Sequence, residues 1–553
     1  MDKNSINRYT FEKSRTGEIV PFLGTQPLHS MVDPTREANR LVSTITEDTG
    51  FVIFLGLGGG FAAEAALEQT NAQIAVIDFN ADEIAFLLSA RDYSRLLNND
   101  RFILITDPDS EKLKKFILEN YKPSLHGGIK TIPLRTRVEA DAHLFENAVL
   151  VIQEAVEICS RDYSVQAHFG MRWFSNIIRN IKYADSRCYS FPPEKIKNAA
   201  IAAAGPSLDY QLTSLGEFKA RNGFIISTDT ALPALLQNKI EPDAVVSIDC
   251  QHISYYHFLC CNLIRYAQRG KKIPLILDIA SPPGLSRLPS FAPFFFSSGH
   301  PLARYITQTW KPLPLLDTSG ANVTYACLSL AEYLGADHIT LFGADFAYTG
   351  SQAYARGTYI LPYFENRQKR FTPMEAQVSA LLYRSPFLPP ENGVKADYRE
   401  TASLRFYRKK LEEKAVMMTA SVTCMTGGGA PVRLGDRDLG DRRQELGDRG
   451  QELGDRRQGL GVRGQGLEGD RGLGDKAFEF LEGYRDDIAG LPLLNDRENY
   501  FTKLDQKQTL IFTTLLPFAA AVRKRNPELK YNYLIEEVKN SCVAEIEKVL
   551  CMP

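Results

Sequence analysis

The stretch KNAAIAAAGPSLDY, residues 197–210, decides the fold class of this chain. Residues 199–203 are an apolar run of the length that is typical of a short buried strand. The segment after the Gly-Pro-Ser turn predicts a helix, whose apolar face would include Leu208, Leu212 and Leu215. A strand that passes through a tight glycine turn into a helix is the building unit of an α/β domain.

The turn itself, Gly205-Pro206-Ser207, has the composition of an anion site. Glycine adopts backbone angles that other residues avoid, proline suits the first turn of a helix, and Ser207 is placed to cap that helix. A helix N-terminus presents free N–H groups and the positive end of the helix dipole, which suit a phosphate group. On these residues alone, an ordinary strand-to-helix turn is a better explanation than an anion site, so the rest of the chain has to decide between the two.

Length and composition describe a large globular protein. The 553 residues are too many for one hydrophobic core, and about three domains are expected. With 65 basic and 66 acidic residues, the net charge of −1 gives no support to nucleic acid or an anionic membrane as a partner. The nine cysteines form no CxxC pair, so we interpret them as reduced structural thiols rather than as disulfides or a zinc site.

Targeting signals predict a cytoplasmic protein. The N-terminal stretch MDKNSINRYTFEKSRTGE has no apolar segment of the kind that a signal peptide requires. The longest apolar run, residues 510–522, is too short to cross a bilayer and contains Pro517. We therefore expect no membrane insertion.

Residues 1–150 predict a Rossmann-like N-terminal domain. Three apolar runs separated by helix-compatible segments indicate a parallel sheet: FVIFL (51–55), IAVID (74–78) and FILIT (102–106). The first run opens into the glycine turn Gly56-Leu57-Gly58-Gly59-Gly60 and the second ends in Asp78, as in a nucleotide-binding fingerprint with an acid for a ribose hydroxyl. However, Phe61 stands where the third glycine of GxGxxG belongs, and Phe54 stands where methyltransferases often carry an acid. We interpret this turn as degraded or purely structural.

The remaining segments differ in pattern. Residues 151–198 predict a helical connector, and residues 476–553 predict a helical C-terminal region. Residues 199–432 predict a second, central α/β domain and the centre of function, with six strand candidates: AAIAA (199–203), FIIST (224–228), AVVSI (244–248), IPLIL (273–277), FFFSS (294–298) and ITLFG (339–343).

Residues 433–475 form a low-complexity insertion of LGDR-type repeats, most of them seven residues long. Each repeat has one apolar position and up to three glycines, and each glycine costs a helix about 1 kcal/mol relative to alanine. This excludes a coiled coil. We expect a solvated, flexible and dispensable segment without chemistry of its own.

Four motifs in a fixed order resemble one family. Beside AAAGPSLD, they are PLHSMVDPTREANRLV (27–42), STDTALPALLQNKIEPDAVVSIDCQ (227–251) and SGANVTYACLSLAEYLGADHITLFGADFAYTG (319–350). Together they resemble the motility accessory factor family. The central domain of that family is shared with archaeal 6-hydroxymethylpterin diphosphokinase MptE-like proteins. The resemblance runs from the first motif to the glycine turn before the repeats and leaves out the repeats and the helical tail.

The resemblance implies a flagellin glycosyltransferase. Such an enzyme transfers a nonulosonic acid of the pseudaminic or legionaminic acid type from a CMP-activated sugar to flagellin serines and threonines in the cytoplasm. Its central domain is similar to sialyltransferases, whose first glycine-rich turn holds the nucleotide. Carried onto this chain, the nucleotide- and substrate-binding positions are Gly205, Pro206, Ser207, Leu208, Asp229, Gln251, Asn322, Tyr348 and Arg356.

The chemistry that the resemblance implies narrows the catalytic candidates. As CMP departs from an oxocarbenium-like centre, the enzyme must stabilise the leaving phosphate and deprotonate the incoming hydroxyl. Helix N-termini at Ser207 and Asn322 suit the first task. For the second, the candidates are Asp249 and Asp345, as a general base or as ligands of a divalent metal ion, and His252 is a weaker one. For each aspartate, an N-cap or loop hydrogen bond is an equally good explanation.

Two further segments are expected to border the site. Family members often carry a histidine shortly after the segment that corresponds to DFAYT (345–349), whereas this chain has Tyr354 or Arg356 there, and an arginine suits phosphate. Residues 401–429 resemble the closing helix and glycine turn of the family. That segment is expected to cover the site, with Tyr407 or Arg408 reaching in.

Two other functions stay open from the sequence. A pterin diphosphokinase would use the same turn for ATP phosphates and the aspartates for magnesium, although such enzymes are little more than the central domain. A non-catalytic motility accessory protein would bind nucleotide or flagellin only. The sequence leaves the choice of sugar and the oligomeric state open.

Overall fold

A computed structural model describes residues 8–186, 196–259, 272–389, 391, 397–434, 475–493 and 499–551. It divides the chain into two compact units. The first unit comprises residues 1–174 and 482–553, and the second comprises residues 175–481. The predicted α/β class is confirmed, because each unit holds a parallel sheet covered by helices. The repeats between residues 435 and 474 lie outside the described residues.

The first unit contains two sheets. Strands β1 (Tyr9–Lys13), β2 (Ile19–Leu23) and β3 (Gln26–Pro27) form an antiparallel sheet. A parallel sheet in the order β6-β5-β4-β7 follows, from β4 (Phe51–Leu55), β5 (Gln73–Asp78), β6 (Phe102–Thr106) and β7 (Ile129–Pro133). The three predicted strands are confirmed. Strand β7 escaped prediction because its sequence, IKTIP, has no continuous apolar run.

Helices cover both faces of the parallel sheet. Alternate residues of β4 point to opposite faces, so that Val52 and Phe54 pack on one side and Phe51 and Ile53 on the other. The helices of this unit are Pro34–Val42, Phe61–Gln69, Ala81–Ala90, Ser94–Leu97, Ser110–Asn120, Pro123–His126, Arg135–Ala140, Tyr500–Lys503, Gln506–Arg525 and Tyr531–Leu550. The helix Ala142–Ser186 begins in this unit and ends in the second, and the helix Asp475–Ala489 begins in the second and ends in the first.

The second unit is built on a seven-stranded parallel sheet in the order β12-β11-β10-β9-β8-β13-β16. Its strands are β8 (Asn198–Ala202), β9 (Phe224–Thr228), β10 (Ala244–Ser247), β11 (Ile273–Asp278), β12 (Phe291–Phe296), β13 (His338–Phe342) and β16 (Ser421–Cys424). From β8 the chain builds the sheet toward β12 and then returns to place β13 on the other side of β8. The topological switch point therefore lies between β8 and β13, where open α/β sheets bind their ligands.

All six strands predicted for this unit are present, and β16 was missed because its four residues, three half-exposed and one exposed, give little signal. The predicted helix after β8 is Leu208–Ala220, with Leu208 and Leu215 fully buried. The short pair β14 (Tyr348–Thr349) and β15 (Tyr398–Arg399) lies beside the main sheet. The other helices are Leu232–Gln237, Tyr256–Leu259, Pro301–Thr309, Val323–Tyr333, Ile360–Glu365, Met374–Leu382 and Ala402–Met417, with 3₁₀ turns at His252–Tyr255 and Leu285–Arg287. Among the described helices, none combines the length and the apolar character that a membrane span requires.

Candidate active site

The glycine turn of the first unit, residues 56–60, is filled by side chains of the same unit. The N–H of Gly59 donates to His29 Nε2 at 2.8 Å. The carbonyl oxygen of Gly58 accepts from the Tyr93 hydroxyl at 2.9 Å, and that of Gly59 accepts from Arg91. A Cβ on Gly58 would lie 2.5 Å from His29 Nε2. The N–H of Gly59, a donor that could hold a phosphate, is therefore already bonded within the protein.

Asp78, the acid at the position for a ribose hydroxyl, is buried in an ion pair. Its Oδ2 accepts from the N–H of Leu57 at 2.7 Å, and its Oδ1 accepts from Arg137 Nε at 2.9 Å. Neither side chain is exposed to solvent. Burial raises the pKa of Asp78, and the positive charge of Arg137 opposes that rise. These contacts agree with the interpretation of this turn as structural.

The second glycine turn, Gly205-Pro206-Ser207, lies at the switch point, but its N–H groups are not free. The N–H of Ser207 donates to Asp345 Oδ2 at 2.8 Å. The next two N–H groups, of Leu208 and Asp209, bond to the carbonyls of Gly205 and Pro206 at 3.0 and 3.2 Å. A carboxylate after the neighbouring strand β13 therefore reaches this helix N-terminus, and nucleotide binding at the turn stays a prediction. Ser207 occupies the N-cap position without a side-chain capping bond.

Glycines let three chain segments close around Asp345. A Cβ on Gly205 would overlap the Asp345 carboxylate and lie 2.5 Å from the carbonyl oxygen of Gly343. A Cβ on Gly429 would lie 2.5 Å from Asp345 Cβ, and one on Gly427 would lie 2.9 Å from Asp345 Oδ1. Burial raises the pKa of Asp345, and hydrogen bonds from Ser207 and Gly429 oppose that rise. The predicted glycine turn thus packs on the switch point, where strand β16 brings it.

A second group of titratable side chains lies at the ends of β9 and β10. Asp229 is buried, and its Oδ2 accepts from the Ser247 hydroxyl at 2.7 Å. Its Oδ1 accepts from the N–H of Thr230 at 2.7 Å and lies 3.2 Å from Nδ1 of His257. Burial opposes ionisation, but His257 and the hydrogen bonds from Ser247 and Thr230 together hold the pKa of Asp229 below its usual value. The structure thus keeps a buried carboxylate ionised against an imidazole.

His257 was not among the residues predicted from the sequence. It lies in the short helix after the 3₁₀ turn that begins with His252, and the ring of Tyr359 lies 4.2 Å from its ring. The signal in the sequence was a second histidine five residues after His252, in DCQHISYYHF. Of the two, His252 is exposed and His257 is 8% exposed.

Asp249 joins this group from the loop after β10. It is half-buried, and its Oδ1 accepts from the N–H of Gln251 at 2.8 Å. Burial raises the pKa of Asp249, and the negative charge of Asp229 adds to the rise. Asp278 ends the next strand, and burial raises its pKa to about 6. Neighbouring strands of this sheet therefore place carboxylates along one edge.

The structure places the other predicted residues as follows. Asn322 caps its own helix by accepting from the N–H of Tyr325 at 2.9 Å, so this second helix N-terminus is also taken. Tyr348 is buried and packs near Phe387, with 6.3 Å between ring centroids. The side chain of Arg356 is exposed, and its Nε lies 3.7 Å from Asp209 Oδ2, in the first turn of the helix after Ser207.

Arg408, expected to reach into the site, instead lies buried in an ion-pair network. Its guanidinium lies 3.1 Å from each of the carboxylates of Glu400, Glu391 and Glu412. Such a network fixes the helix Ala402–Met417 against its surroundings. Tyr407 is half-buried.

The carboxylates proposed as metal ligands are engaged in hydrogen bonds. Asp345 and Asp249 each accept a backbone N–H. Within the described ranges, no group of three or more His, Cys, Asp or Glu side chains is arranged to hold a metal ion. A divalent metal ion at Asp249 or Asp345 therefore stays a prediction from the sequence.

Comparisons with known proteins point to the same central domain. Residues 174–351 match the family model of 6-hydroxymethylpterin diphosphokinase MptE-like proteins. Uncharacterized proteins of Treponema pallidum (strain Nichols) are similar to parts of the chain. One is 41% identical over 92 residues, which are 17% of this chain and 32% of that protein. Another is 30% identical over 140 residues, which are 25% of this chain and 66% of that protein. The chain thus spans from about a third to about two thirds of the length of these relatives.

A solved structure extends the comparison to the whole fold. The Maf glycosyltransferase from Magnetospirillum magneticum AMB-1 aligns with a TM-score of 0.51 over 98% of this chain and 90% of that chain, at 14% sequence identity. The resemblance read from the sequence motifs is confirmed at the level of the domain and the fold. Residues 174–351 match the MptE-like family, and they lie in a chain whose fold is similar to that of a Maf glycosyltransferase.

Proposed function

We propose that this chain is a glycosyltransferase of the motility accessory factor type. It would transfer a nonulosonic acid, pseudaminic or legionaminic in type, from a CMP-activated donor to serines and threonines of flagellin. The observation that carries the proposal is the group formed by Asp229, Asp249 and His257 beside the switch point of an MptE-like domain. The likeness in fold to a Maf glycosyltransferase supports it.

The transfer requires a base near the acceptor hydroxyl. The bond between the anomeric carbon and the CMP phosphate breaks, a bond to the acceptor oxygen forms, and the hydroxyl proton must leave. Asp249 suits this role because burial raises the pKa of its carboxylate toward the working pH. His257 suits it as well, because the ionised Asp229 at 3.2 Å fixes the orientation of its ring.

The leaving phosphate requires positive charge. Both helix N-termini expected to supply it are occupied by Asp345 and Asn322. Arg356 is the remaining candidate from the sequence, since its guanidinium is exposed beside the first turn of the helix that follows Ser207. We assign Asp345 the role of holding the turn in place, because one of its oxygens is committed to the N–H of Ser207.

A second function, pyrophosphoryl transfer from ATP to 6-hydroxymethylpterin, has one observation in its favour. The family model that matches residues 174–351 carries that description. The two reactions differ in donor, acceptor and leaving group, so one preparation can test both.

The test uses the purified full chain. One sample receives CMP-pseudaminic or CMP-legionaminic acid with flagellin, and flagellin is then weighed by intact-mass spectrometry. A parallel sample receives ATP, Mg²⁺ and 6-hydroxymethylpterin, and AMP release is measured. A mass gain of one sugar in the first sample alone is the expected result. AMP release alone would favour the pterin reaction, and CMP-sugar binding without either reaction would favour a non-catalytic accessory protein.

A matched pair of variants tests the site. His257→Gln is expected to lower the rate of transfer by on the order of 10²-fold or more, as is typical when a general base, or a residue that positions it, is lost. His252→Gln is the control, because His252 is exposed and lies five residues earlier, at the start of the preceding 3₁₀ turn. Equal activity in both variants would remove His257 from the mechanism.

A further inference from the structure

We propose that residues 356–389 form a docking surface for an acidic segment of the acceptor polypeptide. This inference rests on the proposed function, because it names the chemistry of the partner that the same site would serve. The surface lies between β14 and β15, outside the main sheet. We call it the acceptor-docking surface.

The helices of the acceptor-docking surface bury almost nothing within the described part of the chain. The helix Ile360–Glu365 has no buried residue, and the helix Met374–Leu382 has one, Leu382. Large apolar side chains remain in solvent instead: Phe371 is 91% exposed and Tyr383 is 61% exposed. A solvated helix pair normally presents polar side chains, so exposed aromatic residues here indicate a partner.

The charge of this surface is predominantly positive. Residues 356–389 contain two acidic side chains and five basic ones, namely Arg356, Arg367, Lys369, Arg370 and Arg384, in a chain whose net charge is −1. Only Arg356 lies within ion-pair distance of a carboxylate in the described ranges. The other four cations thus offer charge that a partner can neutralise.

Arginines lie over aromatic rings along this surface. The guanidinium of Arg367 is 4.0 Å from the ring centroid of Tyr363, and that of Arg370 is 5.6 Å from the ring of Phe371. Arg399, just beyond the surface, lies 5.7 Å from the ring of Tyr383. Exposed arginine, tyrosine and phenylalanine side chains are the residue types that protein interfaces favour. Stacking also orients each guanidinium before a partner arrives, which reduces the entropy lost on binding.

The acceptor-docking surface adjoins the candidate active site. The ring of Tyr363 lies 4.8 Å from the ring of Tyr256. His257 follows Tyr256 in the chain, and its ring lies 4.2 Å from the ring of Tyr359. The same imidazole lies beside Asp229. A polypeptide bound over Tyr363 and Phe371 would therefore lie close to the proposed base.

The occupant follows from these features. A free sugar nucleotide is too small to use both the exposed aromatic side chains and the dispersed cations. An extended polypeptide with aspartates or glutamates beside its serines and threonines would pair with Arg367, Lys369 and Arg370 and cover Phe371. Charge complementarity of this kind mainly sets partner choice and the rate of association.

The experiment measures binding without a donor, so that it does not depend on turnover. A fluorescein-labelled peptide with a Ser/Thr core is flanked by aspartates in one version and by lysines in the other. Fluorescence anisotropy gives the Kd of each for the full chain in 0.15 M salt. We expect the aspartate peptide to bind at least tenfold more tightly. The affinity of the variant Arg370→Glu/Phe371→Ser for the aspartate peptide should fall at least tenfold. The affinity of Arg367→Glu should fall by less.

The control variant is Arg221→Glu, because the side chain of that arginine is 82% exposed and follows the helix Leu208–Ala220, outside the acceptor-docking surface. Its peptide affinity should equal that of the wild type, and thermal melts of all variants should coincide because the side chains are exposed. Equal affinity for both peptides, or an unchanged affinity in Arg370→Glu/Phe371→Ser, would overturn the proposal. So would loss of phosphatidylglycerol-vesicle binding in that variant with peptide binding intact, which would identify a membrane surface. Peptide binding without sugar transfer would leave the surface standing and reject the proposed function.

Discussion

The two glycine turns of this chain follow the same local pattern and differ in what fills them. Gly56–Gly60 in the first unit and Gly205–Ser207 in the second each follow a central parallel strand and lead into a helix. The first is bonded by His29, Asp78, Arg91 and Tyr93, whereas the second is met by one carboxylate, that of Asp345.

The surroundings of the two turns differ more than the turns themselves. In the first unit, Asp78 is neutralised by Arg137, and both are fully buried. In the second, the neighbouring strand ends carry Asp229, Asp249 and Asp278 with perturbed pKa values. Several perturbed carboxylates at neighbouring strand ends are typical of chemistry, whereas a single perturbed carboxylate closed in an ion pair, as Asp78 is, is typical of structure. The difference teaches that a glycine turn locates a site, while the adjacent strand ends decide its use.

The largest expected effect is a loss of stability in the first unit when the ion pair beside its glycine turn is broken. Arg137→Met leaves Asp78 buried without its cation, which should destabilise the first unit by about 3–5 kcal/mol. A thermal or urea melt of the full chain would show an early transition. The double variant Arg137→Met/Asp78→Asn should recover part of the loss, because no unpaired charge remains. Unchanged melting of Arg137→Met would show that the pair contributes little.

A second prediction separates Asp249 from Asp345. Asp249→Asn keeps the shape and removes the base, so transfer should fall by about 10²–10⁴ with an unchanged melting temperature. Asp345→Asn weakens the contact with the N–H of Ser207, so its melting temperature should fall as well. Flagellin mass and thermal melts are the measurements. Full activity of Asp249→Asn beside a lowered melt would assign that residue a structural role only.

A third prediction asks which turn binds nucleotide. Gly205→Val places side-chain atoms against Asp345 and Gly343, so CMP affinity should fall by about tenfold or more. Gly58→Val forces valine into a backbone with φ of +51°, which should destabilise the first unit and leave CMP affinity unchanged. Calorimetric titration with CMP, below the melting temperature of each variant, gives the answer. The opposite pattern would reverse the comparison between the two turns.

The smallest expected effect is the contribution of His29, beside the first turn, to the pH dependence of stability. Burial lowers the pKa of His29 to about 4, from 6.5 when exposed. The unfolded chain therefore binds a proton that the folded chain does not between these pH values, so stability is present above pH 6.5 and falls toward pH 4. The slope is at most about 1.4 kcal/mol per pH unit. His29→Gln should flatten the acid side of a melting-temperature profile, and an identical profile in both proteins would contradict this origin.

The strands could be predicted because buried strands need continuous apolar runs. The strand FIIST has the bounds expected from the sequence. The helix after Ser207 buries Leu208 and Leu215, as its apolar pattern predicts. Strands β7 and β16 could not be predicted, because half-exposed residues carry a weak pattern. The candidate site was predicted in part. Asp229 and Asp249 come together at adjacent strand ends, but the imidazole beside them is that of His257 and not that of His252.

The sequence by itself determined the α/β class, the positions of both glycine turns and the domain with the richer strand ends. Local signals suffice for these features, because strand, turn and helix preferences act over a few neighbouring residues. Only the tertiary structure decided which side chains close each turn. His29 bonds to a glycine 30 residues away, and Asp345 bonds to a serine 138 residues away. Such a hydrogen bond depends on how strands align in the sheet, and no spacing along the chain encodes that alignment.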